Sequence, residues 1–128
     1  MDIEKFKKNI QPTLEWLRAG GDNEYKFDME HFACRSRCGT TCCIAGHVAL
    51  INEMNVDPMR ASMLHREAAL RDFLGLTIEE AFNLFYCRPA ANDSLSSWNI
   101  MAEATPEQAV VVIEHAMETG VIDWEVAL

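Results

Sequence analysis

Lysine and arginine are absent from this chain after residue 88. All 11 basic residues lie at or before Arg88, and the 20 acidic residues give a net charge of −9. Because phosphate groups are bound mainly by lysine and arginine, we expect no direct nucleic-acid binding through the C-terminal part. The acidic excess has two interpretations. It is a solvated face that keeps a small protein soluble, or a face that attracts a basic protein surface or imitates nucleic acid.

The sequence also lacks an apolar run near the roughly 18 residues that a membrane span needs. Residues 1–8 contain no apolar segment typical of a secretory signal. The cysteine count of five is odd, and without an export signal we expect these thiols to be reduced in a cytoplasm. A length of 128 residues predicts one domain over residues 1–128, short for an enzyme with separate substrate and cofactor lobes.

No segment is typical of a β-strand, and no internal repeat is present. Helical periodicity predicts helices over 2–19, 41–54, 58–74 and 105–119, and a short helix that starts at a Thr77 capping box and turns Ile78 inward. Pro12 should kink the first helix or divide it in two. Residues 87–104 have no clear period. The sequence therefore predicts an all-α, compact single-domain bundle of about five helices, with a long irregular loop before the last helix.

The stretch from residue 38 to residue 50 holds three of the five cysteines and one of the four histidines. We expect Thr40 to cap a helix over 41–54, and this helix to be the most buried one. Its first turn would then contain Cys43, whose thiol pKa the helix dipole would lower. Cys43 and His47 are four residues apart and would share a helix face.

Three interpretations of this stretch remain open. In the first, the cysteines are buried small side chains and His47 is a hydrogen-bonded core residue. In the second, the stretch holds zinc, although two regular ligand pairs are missing; the candidate ligands are His31, Cys34, Cys38, Cys43 and His47. In the third, Cys38 or Cys43 is a nucleophile and His47 is its base.

A resemblance to a known family rests on the order of several short blocks. The central block is Cys38-Gly39-Thr40-x-x-Cys43-Ile44-Ala45-Gly46-His47, and further blocks lie within 27–29, 74–85 and 105–109. Together they resemble a largely uncharacterised family of small phage, prophage and bacterial proteins with a Cys-Gly-Thr-x-x-Cys-x-x-Gly-[His/Trp] core. Members place Trp where this chain has His47, so the resemblance implies a structural role for the motif. It would place the protein in a host cytoplasm.

Two functions follow as hypotheses. The first is a small acidic, non-enzymatic interaction or regulatory protein that binds a host or phage protein, as an inhibitor or a nucleic-acid mimic. The second is a thiol-based or zinc-binding protein that uses Cys38 or Cys43 with His47. For the first, the candidate partner contacts are Arg88, Trp98, Glu107, Glu114 and Glu118. No residue is assigned as catalytic, and no cofactor is expected unless zinc is bound.

Overall fold

The computed structural model describes residues 1–22, 25–29, 33–36, 39–54, 63–88 and 97–128, with the backbone alone at 33–36, 39–41, 63–66 and 97–99. Six α-helices, three short strands and a final 3₁₀ turn follow one another along these residues. In chain order they are α1 (Ile3–Arg18), β1 (Tyr25–Phe27), β2 (Ala33–Ser36), β3 (Gly39–Cys42), α2 (Ile44–Ile51), α3 (Met63–Leu74), α4 (Ile78–Phe85), α5 (Ser97–Glu103), α6 (Pro106–Thr119) and the 3₁₀ turn Trp124–Ala127. The prediction of a mostly helical bundle is confirmed.

The first helix, α1, supplies one side of the core. The Asp2 side chain caps it by accepting a hydrogen bond from the backbone N–H of Lys5. Its apolar positions recur at three- and four-residue steps and are buried; they are Phe6, Ile10, Leu14 and Leu17. Of the two outcomes predicted for Pro12, a kink or a division of the helix, the division is wrong, because α1 runs unbroken from Ile3 to Arg18.

A three-stranded sheet with the order β1-β3-β2 follows α1, and the prediction that the chain contains no strands is wrong. Strand β3 pairs in parallel with β1, where Lys26 lies opposite Thr41, and antiparallel with β2, where Ser36 lies opposite Gly39. Strands of three or four residues are too short to display an alternating pattern. The β-branched Thr40 and Thr41 were the available signal, since such residues favour strands.

The helix predicted over 41–54 is shorter than expected. Gly39–Cys42 belongs to β3, and α2 begins at Ile44 and ends at Ile51. Its N-cap is Cys43, not Thr40: Cys43 has an extended backbone, and its sulfur accepts a hydrogen bond from the N–H of Gly46. Residues 44–49 are all buried, in agreement with the central position predicted for this helix.

The second half of the chain follows the cap signals of the sequence. A capping box at Thr77 starts α4, as predicted, and a second one at Thr105 starts α6, the helix predicted over 105–119. The expected start of the third helix at Pro58 lies outside the described residues, where α3 is seen from Met63. Ile78 is 66% exposed, so the prediction that it faces inward is wrong.

The expected irregular loop also contains a helix, α5. The C-terminal tail, residues 121–128, docks on α6 through the buried side chains of Ile122 and Trp124. The buried apolar side chains of the described residues form one hydrophobic core. Among the described residues, no helix combines the length and apolarity required to cross a bilayer.

Two glycines with similar backbone angles make a matched pair for a stability test. Gly75 (φ +69°) and Gly120 (φ +76°) both adopt the left-handed conformation, but only Gly75 is crowded: an added Cβ would lie 2.9 Å from Asp2 Cβ. We expect Gly120→Ala to lower the free energy of unfolding by about 1 kcal/mol, and Gly75→Ala by roughly 2–3 kcal/mol. Urea denaturation measures both. Equal losses would contradict the steric contribution at Gly75.

Candidate functional site

The candidate site is centred on His47, where α1, β1 and α2 meet. His47 Nδ1 lies 2.9 Å from the Thr13 hydroxyl, within hydrogen-bond distance. The imidazole stacks on the Trp16 ring at 3.9 Å between centroids with an interplanar angle of 3°, and Tyr25 approaches it edge-on at 5.7 Å. The indole N–H of Trp16 in turn donates to the Tyr25 carbonyl. We call Thr13, Trp16, Tyr25 and His47 the His47 cluster.

Burial determines the charge of this histidine. His47 is 4% exposed, and removal from water lowers its pKa from 6.5 to about 4. The imidazole is therefore neutral at pH 7. A histidine general base is most effective when its pKa is near the operating pH, so this environment does not favour proton transfer.

Burial also determines the protonation of Cys43. Its sulfur accepts from the N–H of Gly46 at 3.4 Å, and this contact with the start of α2 lowers the thiol pKa. Desolvation is the larger effect, however, and the pKa is raised above its usual value. The expectation of a lowered pKa for this thiol is therefore wrong, because the cost of removing the thiolate from water exceeds the contribution of the helix start.

The other two described free thiols are equally unfavourable as thiolates. The pKa of Cys42 is raised to about 12. Burial is the larger cause, and repulsion from a charged Cys43 is the smaller one. The same two causes raise the pKa of Cys87, which is completely buried. All three thiols are protonated at pH 7, and the described part of the structure offers no activated nucleophile among them.

These properties predict slow chemical labelling of Cys42, Cys43 and Cys87. We expect iodoacetamide at pH 8 to leave all three unmodified in the folded protein and to modify them promptly in guanidinium chloride, because only the unfolded chain exposes thiols with ordinary pKa values. Peptide mapping by mass spectrometry identifies the modified positions. Fast modification of Cys43 in the native protein, before global unfolding, would contradict this expectation.

The zinc hypothesis is only partly within the described structure. His31 and Cys38 lie outside the described residues, and the Cys34 side chain is not described. Within the described residues, no three histidine, cysteine or acidic side chains are grouped so that they would hold a metal ion. His47 directs its Nδ1 toward Thr13, and the Cys43 sulfur faces the Gly46 N–H.

The acidic partner candidates lie together on α6. Glu107, Glu114 and Glu118 are exposed on the side of the helix opposite its buried residues. The guanidinium of Arg88 lies elsewhere, 5.7 Å from the centre of the Phe82 ring, and the Trp98 side chain is outside the described part. The structure thus brings three of the five candidates onto one surface.

Sequence reasoning missed an apolar residue within this acidic surface. Val111 is 45% exposed and lies on the same side of α6 as the three glutamates. The four positions 107, 111, 114 and 118 fall within an arc of about 60° when 100° is allowed per residue. A helical projection of residues 106–119 would have revealed it. We call Glu107, Val111, Glu114 and Glu118 the α6 face.

Comparison with known proteins finds no match to this chain among protein-family models, curated proteins or solved structures.

Proposed function

We propose that this protein is a small acidic, non-enzymatic interaction protein that binds and regulates a protein partner. The observation that carries the proposal is the α6 face, where an exposed valine lies among exposed carboxylates. Exposed carboxylates on one helix face attract a basic protein surface, and the apolar side chain among them adds area that a partner can remove from water. The partner surface would be basic, since opposite charge steers association and favours the correct orientation.

The buried groups support an interaction protein more than thiol chemistry. Cys42, Cys43 and Cys87 are protonated and His47 is neutral, so the described groups provide packing and hydrogen bonding rather than a reactive pair. We therefore propose that the His47 cluster contributes to the stability of the fold and that the α6 face binds the partner.

The place of action is part of the proposal. Three free, buried thiols fit a reducing compartment, so we place the protein in a cytoplasm. The resemblance of the cysteine-glycine-threonine motif to phage and prophage proteins suggests a mobile element as its source and a host or phage protein as its partner.

Affinity capture tests the proposed function. The immobilised protein is exposed to cell extract at low ionic strength, beside an unrelated acidic protein of similar charge, and the captured candidate is then purified for a binding titration. We expect one basic protein to bind the chain selectively and to bind more weakly as salt rises, because salt screens the attraction. If every captured protein binds the acidic control equally well, the proposal is wrong.

A further inference from the structure

We propose that the α6 face is the docking surface, and that its occupant is a basic amphipathic helix of the partner. This inference rests on the proposed function and specifies where and what the chain binds. Helix α6 is 14 residues long and thus extends over about 21 Å, so its exposed side offers three turns to a partner helix.

The structure already contains a guanidinium group bound to this face. Arg18, the last residue of α1, places Nη2 3.2 Å from Glu114 Oε1, and both side chains are about half exposed. The pair shows that a basic side chain reaches the α6 carboxylates from an adjacent helix. A partner arginine would bind Glu107 and Glu118 in the same way, because neither has an ion pair among the described contacts.

The tail extends the apolar part of the surface. Gln108 Nε2 donates to the Ala127 carbonyl at 3.5 Å, which places the end of the tail beside the first turn of α6. Val126 is 40% and Leu128 65% exposed. A partner helix would therefore find apolar groups at Val111 and, beside the first turn of α6, at the exposed end of the tail.

The spacing of the α6 face defines the partner sequence. In antiparallel packing, a helix meets Glu118, Glu114, Val111 and Glu107 in that order. Its matching positions are a basic residue at i, another at i+4, an aliphatic residue at i+7 and a basic residue at i+11. Antiparallel packing also brings opposite ends of the two helix dipoles together.

A defined peptide tests this inference. The probe is an alanine-based helical peptide with arginine at i, i+4 and i+11 and leucine at i+7; the control peptide has the same composition with the arginines distributed around the helix. We expect the probe to bind the protein at low salt, and the control peptide to bind about tenfold more weakly. Fluorescence anisotropy measures both affinities.

Variants of the protein locate the binding surface. We expect Glu107→Lys/Glu118→Lys to weaken probe binding at least about tenfold. The matched variant Glu4→Lys/Asp72→Lys makes the same charge change. Glu4 lies in the first turn of α1 and Asp72 in the last turn of α3, so both changes are near the end of α1 that is far from Arg18. We expect this variant to change probe binding little. Circular dichroism verifies that both variants fold.

Arg18 competes with a partner arginine for Glu114, so its removal should strengthen probe binding, the opposite of the effect of the lysine variants. Arg18→Gln frees Glu114, so we expect probe affinity to rise about two- to threefold. Lys8→Gln makes the same charge change on an exposed position of α1 without removing the Glu114 contact, and should raise affinity less.

The outcomes separate the two proposals. The inference is wrong if the probe does not bind, if both peptides bind alike, or if both double variants weaken binding equally. A captured partner that retains its affinity for Glu107→Lys/Glu118→Lys would leave the interaction function intact and overturn the α6 face as its site. If the captured partner carries the i, i+4, i+7, i+11 pattern and DNA competes with the α6 face for binding it, the result would support docking and add nucleic-acid mimicry.

Discussion

The free energy of unfolding is expected to fall by about 3 kcal/mol between pH 6.5 and pH 4 because of His47 alone. The folded protein holds this imidazole neutral with a pKa of about 4, whereas the unfolded chain binds a proton near pH 6.5. Below pH 6.5 the unfolded state therefore takes up a proton that the folded state does not. The stability contributed by neutral His47 is complete above pH 6.5 and is lost as the pH falls toward 4.

The variant His47→Gln isolates this effect. It removes the titrating group and keeps a side chain able to form a hydrogen bond with Thr13. We expect the stability difference between wild type and variant, measured by urea denaturation, to shrink as the pH is lowered from 7 to 4. A constant difference would contradict the prediction.

A direct titration covers the case in which His47→Gln does not fold. NMR of the wild-type imidazole is expected to show a midpoint near pH 4. A midpoint at or above pH 6.5 would mean that attraction between an imidazolium and the stacked Trp16 ring exceeds the cost of desolvation, and the prediction would be wrong.

The substitution Trp124→Ala is expected to lower the free energy of unfolding by about 3–5 kcal/mol. Trp124 is completely buried and fixes the C-terminal tail on α6. Its indole N–H, however, has no hydrogen-bond partner among the described residues. Trp124→Phe removes that donor and keeps most of the ring. We therefore expect it to cost under about 1.5 kcal/mol, because relief of an unsatisfied buried group offsets the lost packing.

The matched substitution is Trp16→Phe. Trp16 is also buried, but its indole N–H donates to the Tyr25 carbonyl at 2.9 Å, so the phenylalanine leaves a backbone acceptor without its donor. We expect Trp16→Phe to cost about 1–3 kcal/mol more than Trp124→Phe in thermal or urea unfolding. Equal costs would indicate that a buried water satisfies the Trp124 N–H.

The helices were predictable where local signals determine them. Each of these signals acts on residues only a few positions away in sequence. They are the caps at Asp2, Thr77 and Thr105, the apolar spacing of α1 and the terminating Gly120. The sheet was not predictable from such signals. Its strands are short, and β1 pairs with β3 across the chain segment that contains β2, so its stability depends on contacts between distant residues.

The site was predictable in composition but not in chemistry. The sequence placed Cys43 near the start of a helix, where the helix dipole lowers a thiol pKa, and the structure shows that burial outweighs the dipole. The partners of His47 come from α1 and β1, and no sequence spacing links Thr13, Trp16 and Tyr25 to residue 47. For the α6 face, a helical projection of one continuous segment contains the whole pattern. The glutamates were therefore identified from the sequence, and Val111 could have been identified in the same way.

The packing of α1 on α6 has a consequence for biosynthesis. Arg18 and Glu114 are 96 residues apart in sequence, yet their helices lie side by side. A ribosome makes α1 first, and the apolar side of α1 then stays without its main helical neighbour until residues 106–119 emerge. Because long-range contacts form late, α1 can pack on α2 and α3 during synthesis but lacks its contact with α6 for most of that time. Chaperone binding during translation is therefore expected to target α1 until residues 106–119 have left the ribosome.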